Sequence, residues 1–270
     1  MVKKKYHKAL TIAGSDSSGG AGIQADIKTF SALGCYGMSV VTALTAQNTR
    51  GVTSVHAVPA AFVEDQLEAV FNDMGADAVK IGMLYSVEVV ETVARQLMKH
   101  SAKNIVLDPV MVAQSGDRLV QGKAITAVRD LLIPLATVVT PNVPEASVFL
   151  NRPIHTSEDM RKAAIQLASC GAGSILLKGG HLDGSDSTDV FYICREDRFI
   201  VLEAERIATR NNHGTGCTIS SAIASYLARG LSLEKAVRKA KEYLTKAIRA
   251  GSEYEIGSGH GPVHHFHEFW

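Results

Sequence analysis

Residues 212–220 read Asn212-His213-Gly214-Thr215-Gly216-Cys217-Thr218-Ile219-Ser220, a glycine-spaced turn running straight into an apolar helical pattern. Gly214 and Gly216 allow the backbone to turn tightly and approach a ligand closely. The first N–H groups of the helix that follows have no partner within it, and they sit at the positive end of its dipole. Such a helix start is an anion hole suited to a phosphate. Cys217 falls inside it, where a thiol pKa is expected to drop and a thiolate to become available. An ordinary glycine-rich loop with a buried cysteine is the other reading, and this segment alone does not choose between them.

Upstream, short β-branched runs alternate with helical patterns. Strands are expected at Ala9–Ala13, Met38–Ala46, Ala78–Ile81, Ile105–Leu107, Thr137–Thr140 and Ile175–Leu177, with a hairpin of Val190–Cys194 and Phe199–Leu202. Helical spacing marks Ile23 to Leu33, Val63 to Met74, Val87 to Met98, Ile125 to Leu132, Glu158 to Ala168, Cys217 to Ala228 and Leu233 to Ala250. Gly34 follows the first helix as a stop. Strands separated by helices predict an α/β fold with a mainly parallel sheet and helices on both faces. No repeat or linker divides the chain, so one domain over residues 1–270 is expected.

In such folds ligands bind beyond the C-terminal ends of the strands. Six of those ends carry polar or glycine-rich residues: Gly14-Ser15-Asp16, Gln47-Asn48, Gly82-Met83, Asp108-Pro109, Pro141-Asn142 and Lys178-Gly179-Gly180. One or two would be routine turn chemistry; six together mark a binding edge.

Composition narrows the function classes. The 270 residues are 46% hydrophobic, ample for one large core, and the net charge is +1 with no basic stripe, which argues against nucleic acid as a partner. Lys3-Lys4-Lys5 before Ala9–Ala13 mimics a signal peptide only weakly, and no run approaches the ~18 apolar residues of a membrane span. Cys35, Cys170, Cys194 and Cys217 are widely spaced with no paired motif, so a disulfide framework or zinc site is not expected and a reducing cytoplasm is.

The run from Gly14 to Gly22 follows a strand and opens a helix, but its spacing fits neither the dinucleotide fingerprint nor a Walker A loop. Asp16 is then either a ligand to a polar substrate or a cap for the helix, and on residue physics alone capping is favoured. Pro109 fixes the turn after Asp108 and holds its carboxylate at a strand tip. Glu145, in Pro141-Asn142-Val143-Pro144-Glu145, either complements a helix dipole or pairs with Asp108 as an oxygen-rich patch for hydrated Mg²⁺. Lys178 would place a cation at the same edge. An acid pair, a lysine and an anion hole are the parts that phosphoryl transfer requires.

These residues carry a resemblance. The segments "AGSDSSGGAG" (13–22), "KIGML" (80–84), "VLDPVMVAQSGD" (106–117), "TPNVPEA" (140–146), "LLKGGH" (176–181), "NNHGTGCTISSAIA" (211–224) and "GSGHGPVHHF" (257–266) are similar, in order, to the hydroxymethylpyrimidine and phosphomethylpyrimidine kinase branch of the ribokinase-like superfamily, from about His7 to Phe266. The resemblance implies a three-layer αβα sandwich, a homodimer, ATP and Mg²⁺. It implies two transfers, from 4-amino-5-hydroxymethyl-2-methylpyrimidine to its monophosphate and then to the diphosphate, for thiamine diphosphate biosynthesis. It places Gly14, Asp16, Gln47, Met83 and Val110 against the pyrimidine, and Asp108, Asn142, Glu145, Lys178 and Thr215 on the nucleotide side, with Asp108 and Glu145 at the metal. Gly214, Gly216, Cys217 and Lys178 are implied as catalytic, Cys217 as the base.

Gln47 can donate and accept at once, which suits an aminopyrimidine edge, and Met83 offers an adaptable apolar contact. Vitamin B6 kinases are the serious neighbours. Some bacterial relatives that phosphorylate pyridoxal are similar throughout but carry a second cysteine in the segment after the DPVM motif. Here that segment is Val112-Ala113-Gln114-Ser115-Gly116, with no thiol to capture an aldehyde, and Gln114 stands where the branch usually has lysine. Two further alternatives remain: a non-catalytic ligand-binding member of the fold, against which Asp108, Glu145, Lys178 and Cys217 argue, and, more weakly, a dinucleotide-dependent oxidoreductase. The histidines at 260, 264, 265 and 267 read as a flexible or packed C-terminus in preference to a metal site.

Overall fold

Among the described residues nine strands form one sheet in the order β3-β2-β1-β4-β5-β6-β7-β8-β9, where β1 is Lys8–Asp16, β2 Tyr36–Asn48, β3 Gly51–Ala57, β4 Ala78–Ile81, β5 Ile105–Leu107, β6 Val138–Val139, β7 Ser174–Leu177, β8 Asp189–Ile193 and β9 Arg198–Leu202. The computed structural model describes residues 4–111, 122–180 and 187–270. The strands from β2 to β7 in that order pair in parallel, while β3, β8 and β9 pair antiparallel at the two edges. The sheet is therefore mainly parallel, as expected. No helix among the described residues is long and apolar enough to cross a membrane.

The period of two along each strand divides the core. Leu10, Ile12, Val79, Ile81, Ile105, Leu107, Val139, Ile175 and Leu177 point to one face. That face is covered by α2 (Ala60–Asp73), α3 (Val87–Lys99), α4 (Gly122–Ala127), α5 (Val143–Leu150) and α6 (Ser157–Ala168). Ala9, Ala78, Val106, Val138, Leu176 and Phe191 point to the other, under α1 (Gly22–Ala32), α7 (Thr215–Ala228) and α8 (Leu233–Gly251). Each large aliphatic side chain so buried contributes about 1.5–3 kcal/mol relative to exposure, which makes the three layers the stable arrangement.

The helix starts are written locally. Ser86 accepts from Val89 N at α3, and Thr156 and Asp159 form a capping box at α6. After α4 the chain widens to a π turn over Val128–Leu132 and tightens to a 3₁₀ turn at Ile133–Leu135, where Pro134 cannot continue the α-helical ladder. β1 and β2 run further than the apolar runs predict, to Asp16 and Asn48, so polar residues are carried along the strands to the edge. β3 was not expected: none of its seven residues is buried, so it lacks the alternation that announces a strand.

Candidate active site

The six polar strand ends converge. Gly14, Gln47, Met83, Asp108, Asn142 and Lys178 line one cavity of about 790 Å³ at the C-terminal edge of the sheet. Asp16, Val110, Glu145, Gly214, Thr215, Gly216 and Cys217 line the same cavity. Residues 112–121, which include Val112–Gly116 and Gln114, and residues 181–186 lie outside the described residues.

The glycine-spaced turn is the hinge of this cavity. Gly214 has a left-handed backbone, φ 80°, and its Cα packs on the Gly20 carbonyl so closely that any Cβ would collide. No side chain caps α7. Its first residues, Thr215, Gly216 and Cys217, face the cavity with the helix dipole behind them. A Cβ at Gly216 would stand 3.4 Å from Lys178 Nζ and 3.5 Å from Asp108 Oδ2, so the helix start lies directly against the charged cluster.

In that cluster Lys178 Nζ is 2.9 Å from Asp108 Oδ1, and Thr140 Oγ1 lies 3.3 Å from the same oxygen. Asp108 is 1% exposed and Glu145 7%. Glu145 Oε2 accepts the Asn142 N–H at 2.7 Å while Asn142 Oδ1 accepts the Glu145 N–H at 2.8 Å, a reciprocal cap for α5. The capping reading of Glu145 is therefore seen directly, and the same residue lines the cavity with Asp108. Burial pushes the Glu145 carboxyl well above its usual range, Lys178 opposes this, and the Asp108 charge adds to it. Burial pulls Lys178 down, but Asp108 and Glu145 outweigh it and keep the ammonium charged. Among the described residues no cluster of three or more His, Cys, Asp or Glu could hold a metal alone. Two buried carboxylates beside an uncapped helix start do fit Mg²⁺, which takes one or two protein carboxylates and completes its shell with water and phosphate oxygens.

Cys217 departs from expectation. Its thiol is raised to about 11, not lowered. Desolvation is the main cause; Lys80 lowers it, but Asp26 and Asp108 raise it further, and a hydrogen bond with the Gly22 backbone offsets only part of the rise.

Asp16 also has a different place from a free substrate ligand. Its Oδ1 accepts from Ser18 N and Ser18 Oγ, and its Oδ2 from Gly20 N, Ala21 N and His213 Nε2 at 2.8 Å. Burial pushes this carboxyl up, but those hydrogen bonds outweigh it and hold it far below the usual carboxylate range. The carboxylate builds the turn before α1 and ties it to the α7 loop.

Three contributions escaped the sequence reading. His213 joins Asp16 and Gln47 across 166 or more residues. Lys80, fully buried between Val79 and Ile81 on β4, lines the cavity from beneath Cys217's helix. Ile207, Ala208, Leu244 and Ile248 add apolar lining to the cavity, and along α8 such residues are indistinguishable from core. Of the C-terminal histidines, His264 and His265 are buried and His260 is exposed, its N–H bonding to Thr49 O at 2.7 Å, while the Gly261 carbonyl accepts from His213 N.

Comparison with known proteins agrees with this geometry. A family profile described as phosphomethylpyrimidine kinase matches residues 16–264. The chain is 54% identical to the hydroxymethylpyrimidine/phosphomethylpyrimidine kinase of Rhizobium meliloti over 97% of this chain and 98% of that one. Among solved structures, phosphomethylpyrimidine kinase from Clostridium difficile 630 is 46% identical, with a TM-score of 0.79 over 89% of this chain and 99% of the other. The ADP complex of Bacillus subtilis pyridoxal kinase is 38% identical, with a TM-score of 0.89 over 97% and 98%.

Proposed function

The chain belongs to the phosphomethylpyrimidine kinase family, and we propose that it transfers phosphoryl groups from ATP, first to the alcohol of 4-amino-5-hydroxymethyl-2-methylpyrimidine and then to the resulting monophosphate. The carrying observation is that one cavity is lined by Gln47, Met83 and Val110, by Asp108, Glu145 and Lys178, and by the start of α7. Acceptor contacts, charged groups and a helix start in one cavity are the parts that an in-line displacement needs.

Gln47 pairs with the aminopyrimidine edge, and Met83 and Val110 hold the ring. Gly214 and Gly216 let the first N–H groups of α7 approach the transferring phosphoryl group, with Thr215 beside them. Asp108 and Glu145, the latter braced by Asn142, would hold Mg²⁺, which supplies charge neutralisation of the ATP phosphates when bound. Lys178 adds a fixed cation, oriented by Asp108. The thiolate form of Cys217, a small fraction near neutral pH because the thiol is raised to about 11, takes the proton of the alcohol in the first transfer and becomes the thiol. The second acceptor is a phosphate monoester, already largely ionised near neutral pH with a second pKa of about 6, and needs no base. The reading extends to a homodimer in the cytoplasm, for which the exposed apolar side chains Leu44 and Phe62 offer contact surface.

The stronger identity to a pyrimidine kinase, 54% against 38% to a pyridoxal kinase, favours the pyrimidine over vitamin B6. Incubation with ATP, Mg²⁺ and the pyrimidine, its monophosphate or pyridoxal, followed by mass spectrometry, tests this. Mono- and diphosphate from the pyrimidine are expected; pyridoxal phosphate alone would make the protein a vitamin B6 kinase.

A further inference from the structure

At the acceptor end of the cavity, the Gln47 amide lies between Thr45, two residues earlier on β2, and His213, in the loop before α7. Thr45 Oγ1 is 2.9 Å from the Ser15 carbonyl oxygen and 3.0 Å from Gln47 Oε1. His213 Nε2 is 2.8 Å from Asp16 Oδ2 and 3.4 Å from Gln47 Nε2. A carboxylate only accepts, so the ring nitrogen facing Asp16 carries the hydrogen. With the amide nitrogen towards His213, two N–H donors would confront each other, and the one Thr45 proton would have to serve two oxygens.

The oxygen and nitrogen of a primary amide exchange places by a half-turn of its last torsion, and the surrounding hydrogen bonds decide between them. The half-turned amide pairs every group. Gln47 then donates to Thr45 Oγ1, which passes its own proton to the Ser15 carbonyl, and the Gln47 oxygen takes a second, longer share of the His213 N–H. One amide hydrogen and one oxygen lone pair remain, in a defined order, for a ligand.

We propose that Thr45 and His213 lock the Gln47 amide with nitrogen towards Thr45 and oxygen towards His213, and that Thr45 is thereby a positioning residue setting the preference for an aminopyrimidine over a pyridine ring. This rests on the kinase reading above. A 4-aminopyrimidine presents an amino donor beside a ring-nitrogen acceptor, which the locked amide matches in one orientation only. A B6-type pyridine places no amino group beside its ring nitrogen, so it gains nothing from the lock. Thr45 is 9% exposed and β-branched, so valine replaces it with the same shape and no hydroxyl.

The test compares wild type, Thr45→Val and Thr45→Ser in steady-state phosphorylation of the hydroxymethylpyrimidine and of pyridoxal, and in calorimetric titration of the pyrimidine without nucleotide. Loss of one orienting hydrogen bond is expected to raise KM and Kd for the pyrimidine about fivefold to tenfold in Thr45→Val. The loss should fall on KM more than kcat, leave pyridoxal nearly unaffected, and be recovered in Thr45→Ser. A Thr45→Val enzyme with wild-type KM, or one equally impaired with both substrates, overturns the role of Thr45 while the kinase reading stands. A wild-type enzyme that phosphorylates pyridoxal and not the pyrimidine overturns both. Thermal melts of the variants separate misfolding from misorientation, because calorimetric binding is then read on folded protein only.

Discussion

Lys80 Nζ lies 2.8 Å from Asp26 Oδ2, and neither side chain is exposed to solvent. Asp26 also accepts from Thr11 Oγ1 and Ser221 Oγ, each at 2.6 Å, so one carboxylate joins β1, β4, α1 and α7. Burial pulls the Lys80 ammonium towards neutrality; Asp26 first, then Cys217 and Asp108, outweighs it and keeps the charge. The pair sits under the cavity that carries Cys217 and fixes the helix on which the anion hole is built.

Breaking this pair should be costly. Lys80→Met leaves Asp26 buried without its counter-charge, and about 3–5 kcal/mol of stability should be lost. The double variant Asp26→Asn with Lys80→Met removes both charges and should lose much less. Urea unfolding of the three proteins measures the coupling; equal losses in the single and double variants would mean that the pair acts through packing alone.

Cys217→Ala should damage the first transfer far more than the second. A positioned base contributes roughly 10²–10⁴-fold to an alcohol acceptor and nothing to an ionised phosphate. The thiol stands at about 11, so the wild-type rate of the first transfer should climb about tenfold per pH unit where chemistry limits it, without levelling near pH 9. Single-turnover rates with each acceptor measure both effects. Equal loss in the two steps would assign Cys217 a positioning role instead.

Acid should loosen the C-terminal packing in a defined window. Burial depresses the His265 imidazole to about 3, with Lys28, His264 and His267 acting in the same direction. A histidine depressed in the folded state contributes its stability above its unfolded pKa of ~6.5, and that contribution drains away as pH falls towards 3. His265→Gln should therefore flatten the stability profile between these limits, at the cost of altering the 3.1 Å contact with Thr218 Oγ1. Thermal melting across pH 3–7 checks it; parallel profiles for the two proteins would assign the acid sensitivity to other groups.

Magnesium dependence should report on Glu145. With ATP, a chelator should abolish turnover and Mg²⁺ restore it. Glu145→Gln keeps a side-chain oxygen for the α5 cap but removes a charge that the cation would use. Altering groups around a bound metal costs roughly 10–100-fold in affinity, so the Mg²⁺ needed for half-maximal rate should rise about tenfold or more. An unchanged Mg²⁺ requirement would confine Glu145 to its capping role.

Much of this was legible in the residues themselves. Alternating apolar runs announced the parallel sheet, because burial on both faces selects continuous β-branched segments. Polar residues at six consecutive strand ends announced the binding edge. The edge strand β3 was not legible, because none of its residues is buried and its register with β2 (Ala43 with Ala57, Asn48 with Gly51) is set by pairing across the strands, not by a pattern within it.

The sequence by itself determined the layering, the glycine turn at 214–216 and the set of chemically able side chains, since these follow from local periodicity and from the conformations that each residue allows. Only the tertiary structure decided what each side chain faces. Asp16 became a turn-builder because five donors converge on it, one of them from His213, 197 positions away. The Cys217 thiol, half-buried at the cavity wall, rose because its surroundings withhold water from it and the fold brings Asp26 and Asp108 near. Charge and solvation depend on distances through space, which a linear pattern does not contain.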